Sequence, residues 1–503
     1  MKKMAILTAI ITGSVCLLSG CGIEEGKALK EISVGNQVMD VSVHDPSIVK
    51  TDGKYYIFGS HMSVAVSEDL QSFKSIADGV NATNPLFDNL FWEDMGAFDF
   101  VGMHVDGYYA VWAPDVIYNP VMEKWVMYFS TSHDYRTSTI CMATSDSVEG
   151  PYHYQETLLY SGYDMLNVDQ TNFYEVLGKD TSAADYMSVG KYNNLNFPNC
   201  IDPTAFYDEE GNMWMVYGSW SGGIWLLELD QNTGLPIHPK ADETKHIDTY
   251  YGYYLMGGLH NSCEGPYILY DDENGYYYLF VSYGGLTREG GYQIRQYRSH
   301  NVTGPYVDEC GNTFGYTGNH SEYGLKMMGN YMFPSLKTAY MAPGHCSALK
   351  DDDGKYYLFY HQRFDNGSEN HEPRVHQMFV NEDGWLVAAP FATKGEILSK
   401  EGYKSEKQIS GLYYCVNHGT DITSDVHEAV QMKLEKDGSI LMEDGTKGNW
   451  TLKKGTNFVT IFMNDAVYKG VIVEMNDEAG NAVRCITAAG NNNESIWAVF
   501  YKE

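Results

Sequence analysis

His44-Asp45-Pro46-Ser47-Ile48, an Asp52-Gly53 turn and then Tyr55-Tyr56-Ile57-Phe58 form a segment that recurs along the chain. The pattern is a polar residue, usually a nearby proline, a few apolar residues, an acidic turn and an aromatic strand. Trp112-Ala113-Pro114-Asp115-Val116 leads through Glu123-Lys124 to Trp125–Phe129, and Ile201-Asp202-Pro203-Thr204-Ala205 leads through Glu210-Gly211 to Trp214–Tyr217. Cys263-Glu264-Gly265-Pro266-Tyr267 leads through Asn274-Gly275 to Tyr277–Phe280. Gly344-His345-Cys346-Ser347-Ala348 leads through Asp353-Gly354 to Tyr356–Tyr360. Asp-Gly and Asn-Gly turns supply the positive φ that tight hairpins need, and the flanking aromatic and β-branched residues favour strands. Starts lie roughly 60 to 90 residues apart, room for about four strands each, the size of a propeller blade. The repeat predicts an all-β protein, a five-bladed β-propeller over residues 40–395; similar hairpins in a sandwich are the competing arrangement. Past Lys394 the rhythm changes, and short runs such as Phe458 to Phe462 and Val471 to Glu474 predict a small C-terminal β-barrel-like domain over 400–503.

The repeat also predicts where the chemistry lies. In each copy the polar residue stands about 8 to 11 positions before the turn glycine, where there is one. Asp45, Trp112, Asp202, Glu264 and His345 are therefore expected at equivalent sites facing one central funnel. Taken singly, each has a plainer reading. Asp before Pro commonly caps a turn, a lone histidine is usually a satisfied core residue, and tryptophan is more often core than platform. Taken together, three acids, an aromatic and a histidine compose an active site. Glycoside hydrolysis needs one protonated carboxylic acid and one carboxylate across the bond, and a third carboxylate raises the pKa of the acid. His345 is a candidate to ligate a metal or hydrogen-bond sugar, and Trp112 to stack on a sugar face. The Tyr-, Asn- and Asp-rich residues 160–198 are expected to form a long loop over one propeller face, where substrate is often shaped.

The N-terminus bears on compartment. Lys2 and Lys3 precede an apolar stretch, Met4 to Leu18, too short for a comfortable membrane span, and Leu18-Ser19-Gly20-Cys21 resembles a lipobox. The expectation is a lipoprotein signal over residues 1–20, lipid on Cys21 as the only membrane attachment, and a polar tether over 21–39. The protein is then lipid-anchored on the extracellular face of the cell membrane, or secreted. A formal net charge of −32 argues against nucleic acid, which demands a basic footprint. The remaining cysteines are scattered, with no CxxC pair, so no disulfide or metal framework is signalled. A monomer is expected.

At these same residues the chain resembles glycoside hydrolase family 43, within it the longer bacterial endo-1,5-α-L-arabinanases. His44–Ile48, Trp112–Val116, Ile201–Pro203, Tyr217-Gly218-Ser219, Glu264–Tyr267, Ser282–Gly285 and Gly344–Ser347 carry the likeness over about residues 40 to 395. The resemblance implies an inverting hydrolase of internal α-1,5-L-arabinofuranosyl linkages in arabinan, with Asp45 as general base, Glu264 as general acid and Asp202 tuning that acid. It further implies sugar contacts from Trp112 and Ser219 and an axial Ca²⁺ at His345, held largely through waters. Exo-acting arabinofuranosidases and β-xylosidases of the same family share the three acids and remain alternatives. So does a non-catalytic surface glycan-binding lipoprotein. Sucrose-cleaving propellers carry Arg before the second Asp, where this chain has Ile201.

Overall fold

The computed structural model describes residues 32–91 and 95–502; the signal and Cys21 lie outside them. Within the described chain, five antiparallel sheets follow one another. Blade 1 comprises Ser47–Thr51, Lys54–Gly59, Ser63–Ser67 and Lys74–Ala77. Blade 2 comprises Ala110–Asn119, Lys124–Ser132, Ser138–Ser145 and His153–Tyr160. Blade 3 is built on Thr204–Tyr207, Met213–Tyr217, Ile224–Leu229 and Gly252–Met256. Blade 4 comprises Glu264–Asp271, Tyr276–Tyr283, Gln293–Ser299 and Leu325–Met328. Blade 5 comprises Tyr340–Lys350, Tyr356–Phe364, Glu372–Val380 and Leu386–Ala388. The second strand of each blade is sandwiched between neighbouring blades, which is why it reads as an unbroken apolar and aromatic run.

The first strands form the axis. Each touches the first strand of the next blade, and that of blade 5 returns to that of blade 1, so the ring is closed. Hydrogen bonds sew every seam. Ser47 Oγ donates to Asp115 Oδ1, and Ala205 N–H donates to Asp115 Oδ2 at 2.7 Å. Thr204 Oγ1 donates to the Pro266 carbonyl at 2.8 Å, His345 N–H to Ser282 Oγ at 2.7 Å, and Ser347 Oγ to the Pro46 carbonyl at 2.8 Å.

Eight strands from Gly411–Asn417 to Ser495–Tyr501 close into a barrel. Its outer face is not solvated throughout. Val471, Val473, Cys485, Trp497 and Val499 share one apolar cluster with Tyr278, Phe280, Leu358 and Tyr360 of blades 4 and 5. The cysteines among the described residues are free thiols.

Residues 160–198 differ from expectation. They hold a short helix, Phe173–Leu177, and a hairpin, Met187–Ser188 with Lys191–Tyr192. Tyr163, Phe173, Tyr186 and Tyr192 are buried together against blades 2 and 3. The tyrosines that looked like a polar loop are the core of a packed insertion.

Asp115 accepts from both neighbours of blade 2 and is itself buried, so its removal leaves two polar groups without partners. Asp115→Ala is expected to lower unfolding free energy by about 2–4 kcal/mol. Asp115→Asn, which can keep both bonds, should cost less than half of that in the same denaturant titration. An Asp115→Ala protein as stable as its parent would show that packing alone holds the seams.

Candidate active site

One backbone position of each inner strand, just before it in blades 1 and 3 and at a break in its ladder in blades 2, 4 and 5, lies in the left-handed region. Asp45, Ala113, Asp202, Gly265 and His345 occupy it, with φ between 41° and 56°. At each of them the N–H is taken up by another blade. His361 Nδ1 accepts from Asp45, Ser60 Oγ from Ala113, Ser130 Oγ from Asp202, Asp202 Oδ2 from Gly265 and Ser282 Oγ from His345. These five positions are the equivalent ones. The sequence reading placed Trp112 and Glu264 in register with the others, but both stand one residue earlier. Aligning the copies on the following proline (Pro46, Pro114, Pro203, Pro266) gives the correct register. Space explains the offset at blade 4. A Cβ at Gly265 would come within 2.9 Å of the His345 ring, so only glycine fits there and the acid comes from its neighbour.

The offset does not remove either residue from the centre. Asp45, Trp112, Asp202, Ser219, Glu264 and His345 all line one cavity of ≈ 940 Å³, the six residues expected from sequence. Among the described residues lining it, none comes from 160–198, so the insertion does not shape its wall.

The three carboxyls sit in different surroundings. Asp45 pairs with His44 Nδ1 at 2.7 Å and His345 Nδ1 at 3.1 Å, and accepts from Ser60 Oγ. Burial alone would raise its pKa, but the charges of His345 and His44 overcome this and hold the carboxyl well below the ordinary range. Asp202 is pushed up to about 7 by burial, with Glu264 and Asp45 adding to burial and His345 opposing it. Burial also raises Glu264, against the pull of Tyr292, His345 and Trp220. Burial would lower His345, yet Asp45 lifts it to about 9. The cavity thus holds one carboxyl kept well below the ordinary range, Asp45, and two, Asp202 and Glu264, that burial raises above it.

Glu264 is held by residues the sequence reading missed. Trp220 Nε1 donates to Oε2 at 2.6 Å and Tyr292 OH donates to Oε1 at 2.8 Å, joining Ser219 Oγ at 3.2 Å. Trp220 directly follows the Tyr217-Gly218-Ser219 stretch, so proximity could have signalled it. Tyr292 follows a Gly-rich loop and had no such signal.

For a metal, the donor chemistry is mixed. Among the described residues, His44, Asp45 and His361 each offer a ligand atom within 4.8 Å of the others, a nitrogen-rich set suited to transition metals rather than calcium. His345 is outside that group. Its Nδ1 is taken by Asp45, so Nε2 could serve a cation only by giving up its proton, after which a carboxylate would orient the ligating imidazole. A calcium there would draw its other ligands from water.

The glycosyl hydrolases family 43 model matches residues 34–180 and 158–386, and a C-terminal lipocalin-like domain model matches residues 390–498. The chain is 38% identical to an extracellular endo-α-(1→5)-L-arabinanase of Thermotoga petrophila, covering 92% of this chain and 94% of that one. It is 36% identical to extracellular endo-α-(1→5)-L-arabinanase 2 of Bacillus subtilis, over 91% of this chain and 92% of that one. Among solved structures, the glycoside hydrolase family 43 YxiA protein of Bacillus licheniformis superposes with a TM-score of 0.80 at 35% identity. It covers 94% of this chain and all of its own.

Removing the Asp202 charge tests whether the two raised carboxyls influence each other. In Asp202→Asn, Glu264 faces one like charge fewer, Asp45 remaining, and should ionise at lower pH than in the parent. ¹³C-carboxyl NMR titration reads this directly, and an unmoved or raised Glu264 would show that the two titrate independently.

Proposed function

This chain belongs to glycosyl hydrolase family 43, and from that premise we propose that it is an inverting endo-hydrolase of α-1,5-linked L-arabinan. The observation that carries the reading is the division of labour among the carboxyls. Asp45, kept ionised by His44, His345 and Ser60, is fitted to take a proton from water. Glu264, raised by burial, is fitted to give one to the departing oxygen. Ser219 and Trp220 both donate to Oε2 and Tyr292 alone to Oε1, so Oε1 is the oxygen with room for the proton. Asp202 adds negative charge beside that acid and fixes the Gly265 N–H, which orients the Glu264 backbone. Once Glu264 has given up its proton, the same three donors stabilise the carboxylate that remains. Trp112 presents an aromatic wall to sugar in the same cavity.

Endo action on arabinan is supported by the names of the two relatives above, and both being called extracellular supports export; lipid on Cys21 rests on the lipobox-like Leu18-Ser19-Gly20-Cys21 stretch alone. A hydrated calcium on His345 Nε2 would supply fixed positive charge beside the carboxyls.

Digestion of debranched arabinan followed by ¹H NMR tests the function. Short oligomers with the inverted anomer formed first are expected; monomer alone would select an exo reading, and a retained anomer would remove the base role of Asp45. Glu264→Gln should lose about 10³-fold in kcat while still binding arabinan, and unchanged turnover would overturn its assignment. Chelation of the full-length protein should lower kcat and, by calorimetry, leave a site that takes up one Ca²⁺. Full activity without uptake would reduce His345 to a partner of Asp45.

A further inference from the structure

We propose that residues 418–428, a connection belonging to the barrel, are a positioning element of the active site, with Val426 acting through Tyr292 on Glu264. The proposal rests on the reading of Glu264 as the acid.

The connection leaves the barrel after Gly411–Asn417 and returns at Val430–Leu434. Between them it lies against the propeller, where His427–Glu428 pairs in parallel with Tyr331–Met332 beside the inner strand of blade 5. Its anchors are buried side chains of the propeller. Arg295, fully buried, donates to the Thr420 carbonyl at 2.5 Å. Gln293 donates to the Asp421 carbonyl at 2.9 Å, and Lys326, also buried, reaches that carbonyl at 2.8 Å and Asp421 Oδ1 at 2.9 Å. Asn330 Nδ2 donates to the Ser424 carbonyl at 3.0 Å while its Oδ1 accepts from Ala342 N–H at 2.7 Å. Ala342 itself has φ 50° and stands three residues before His345. Burying an arginine and a lysine to grip main-chain carbonyls is costly unless the contact is well ordered, so this is a fixed docking.

What is docked upon is the loop that carries Tyr292. Gly284–Gly291 joins the second and third strands of blade 4, and its Gly285 and Leu286 line the cavity. A Cβ on Gly291 would come within 3.0 Å of the Thr423 main chain, so the barrel connection lies directly on the loop end. Two side chains of the connection then enter the apolar groups around the site. Ile422 packs against the cluster containing Cys263, the residue before Glu264. Val426 packs against the small cluster of Tyr292, Ala339, Met341 and Ala342. Tyr292 is buried and donates to Glu264, so the rigidity of that cluster sets where the hydroxyl points.

The test uses the full-length protein. Val426→Ala should lower kcat on debranched arabinan about tenfold with KM changed less than about twofold, and Val426→Ile should restore it. In a Tyr292→Phe background, Val426→Ala should cause no further loss, because the group it positions is gone. Ile461→Val in the barrel core should lower the melting temperature without moving kcat. Losses that multiply across the Val426/Tyr292 double mutant, or a Val426→Ala protein altered only in melting temperature, would overturn the proposal. Turnover surviving in Glu264→Gln would instead remove the acid reading, while coupling between Val426 and Tyr292 would still report the positioning contact.

Discussion

The structure depends on one repeated backbone constraint, a left-handed residue before each inner strand or at a break in its ladder, whose N–H is captured by another blade. Four of the five are not glycine, and such a conformation costs of order 1–3 kcal/mol each where the surroundings do not enforce it. Two things enforce it here. A proline follows in four copies and disfavours the right-handed helical alternative. The captured N–H is buried, so relaxing the backbone would leave it unpaired. The same sharp turn directs side chains at the strand head into the cavity. Trp220 and His260, on the cavity wall outside the repeat, also have positive φ, so conformational strain is concentrated where the chemistry is.

With the backbone fixed, electrostatics sorts the acids. Asp202 is buried and Asp45 and Glu264 are largely enclosed, and that enclosure by itself would push all three toward protonation. They separate because the histidines are unevenly shared. His44 and His345 both pair with Asp45, whereas His345 reaches Asp202 and Glu264 only through its charge and their hydrogen bonds come from neutral donors. His361, fully buried, stays neutral because burial and its neighbour His44 lower it, and so it can accept the Asp45 N–H. One carboxyl held low and two raised ones follow from that placement.

The sequence made the axis legible and the supports hard to see. Five copies revealed the blades, and with them Asp45, Trp112, Asp202, Glu264 and His345, because inner-strand residues recur at a regular spacing. Ser219 came from family likeness alone. The one-residue offset of Trp112 and Glu264 is not legible from the turns, because hairpin lengths vary and the second copy has no turn glycine, whereas the proline is tied to the left-handed residue. Tyr292 was not legible, since its contact to Glu264 spans 28 positions through a loop with no recurring pattern. The packed insertion was misread because tyrosine is equally at home in a polar loop and in an aromatic core.

Ring closure adds a further consequence. Blades 1 and 5 are each built from consecutive strands, so no strand from one end of the chain completes the other's sheet. The seam between them is held by side chains. Lys50 pairs with Asp351 and Asp352, Tyr55 with Asp351, and Met39, Val41, Ile48 and Ile57 pack against Tyr357, Phe359 and Val375. Asp45 lies on that seam, receiving His44 from its own blade and His345 and His361 from the last one. An opened seam would leave the carboxylate its own histidine but take away both its enclosure and His345, which outweighs His44 in lowering its pKa. The carboxyl would return toward its ordinary range, still ionised at neutral pH, so the depressed pKa of Asp45 and its pairing with His345 are properties of the closed ring.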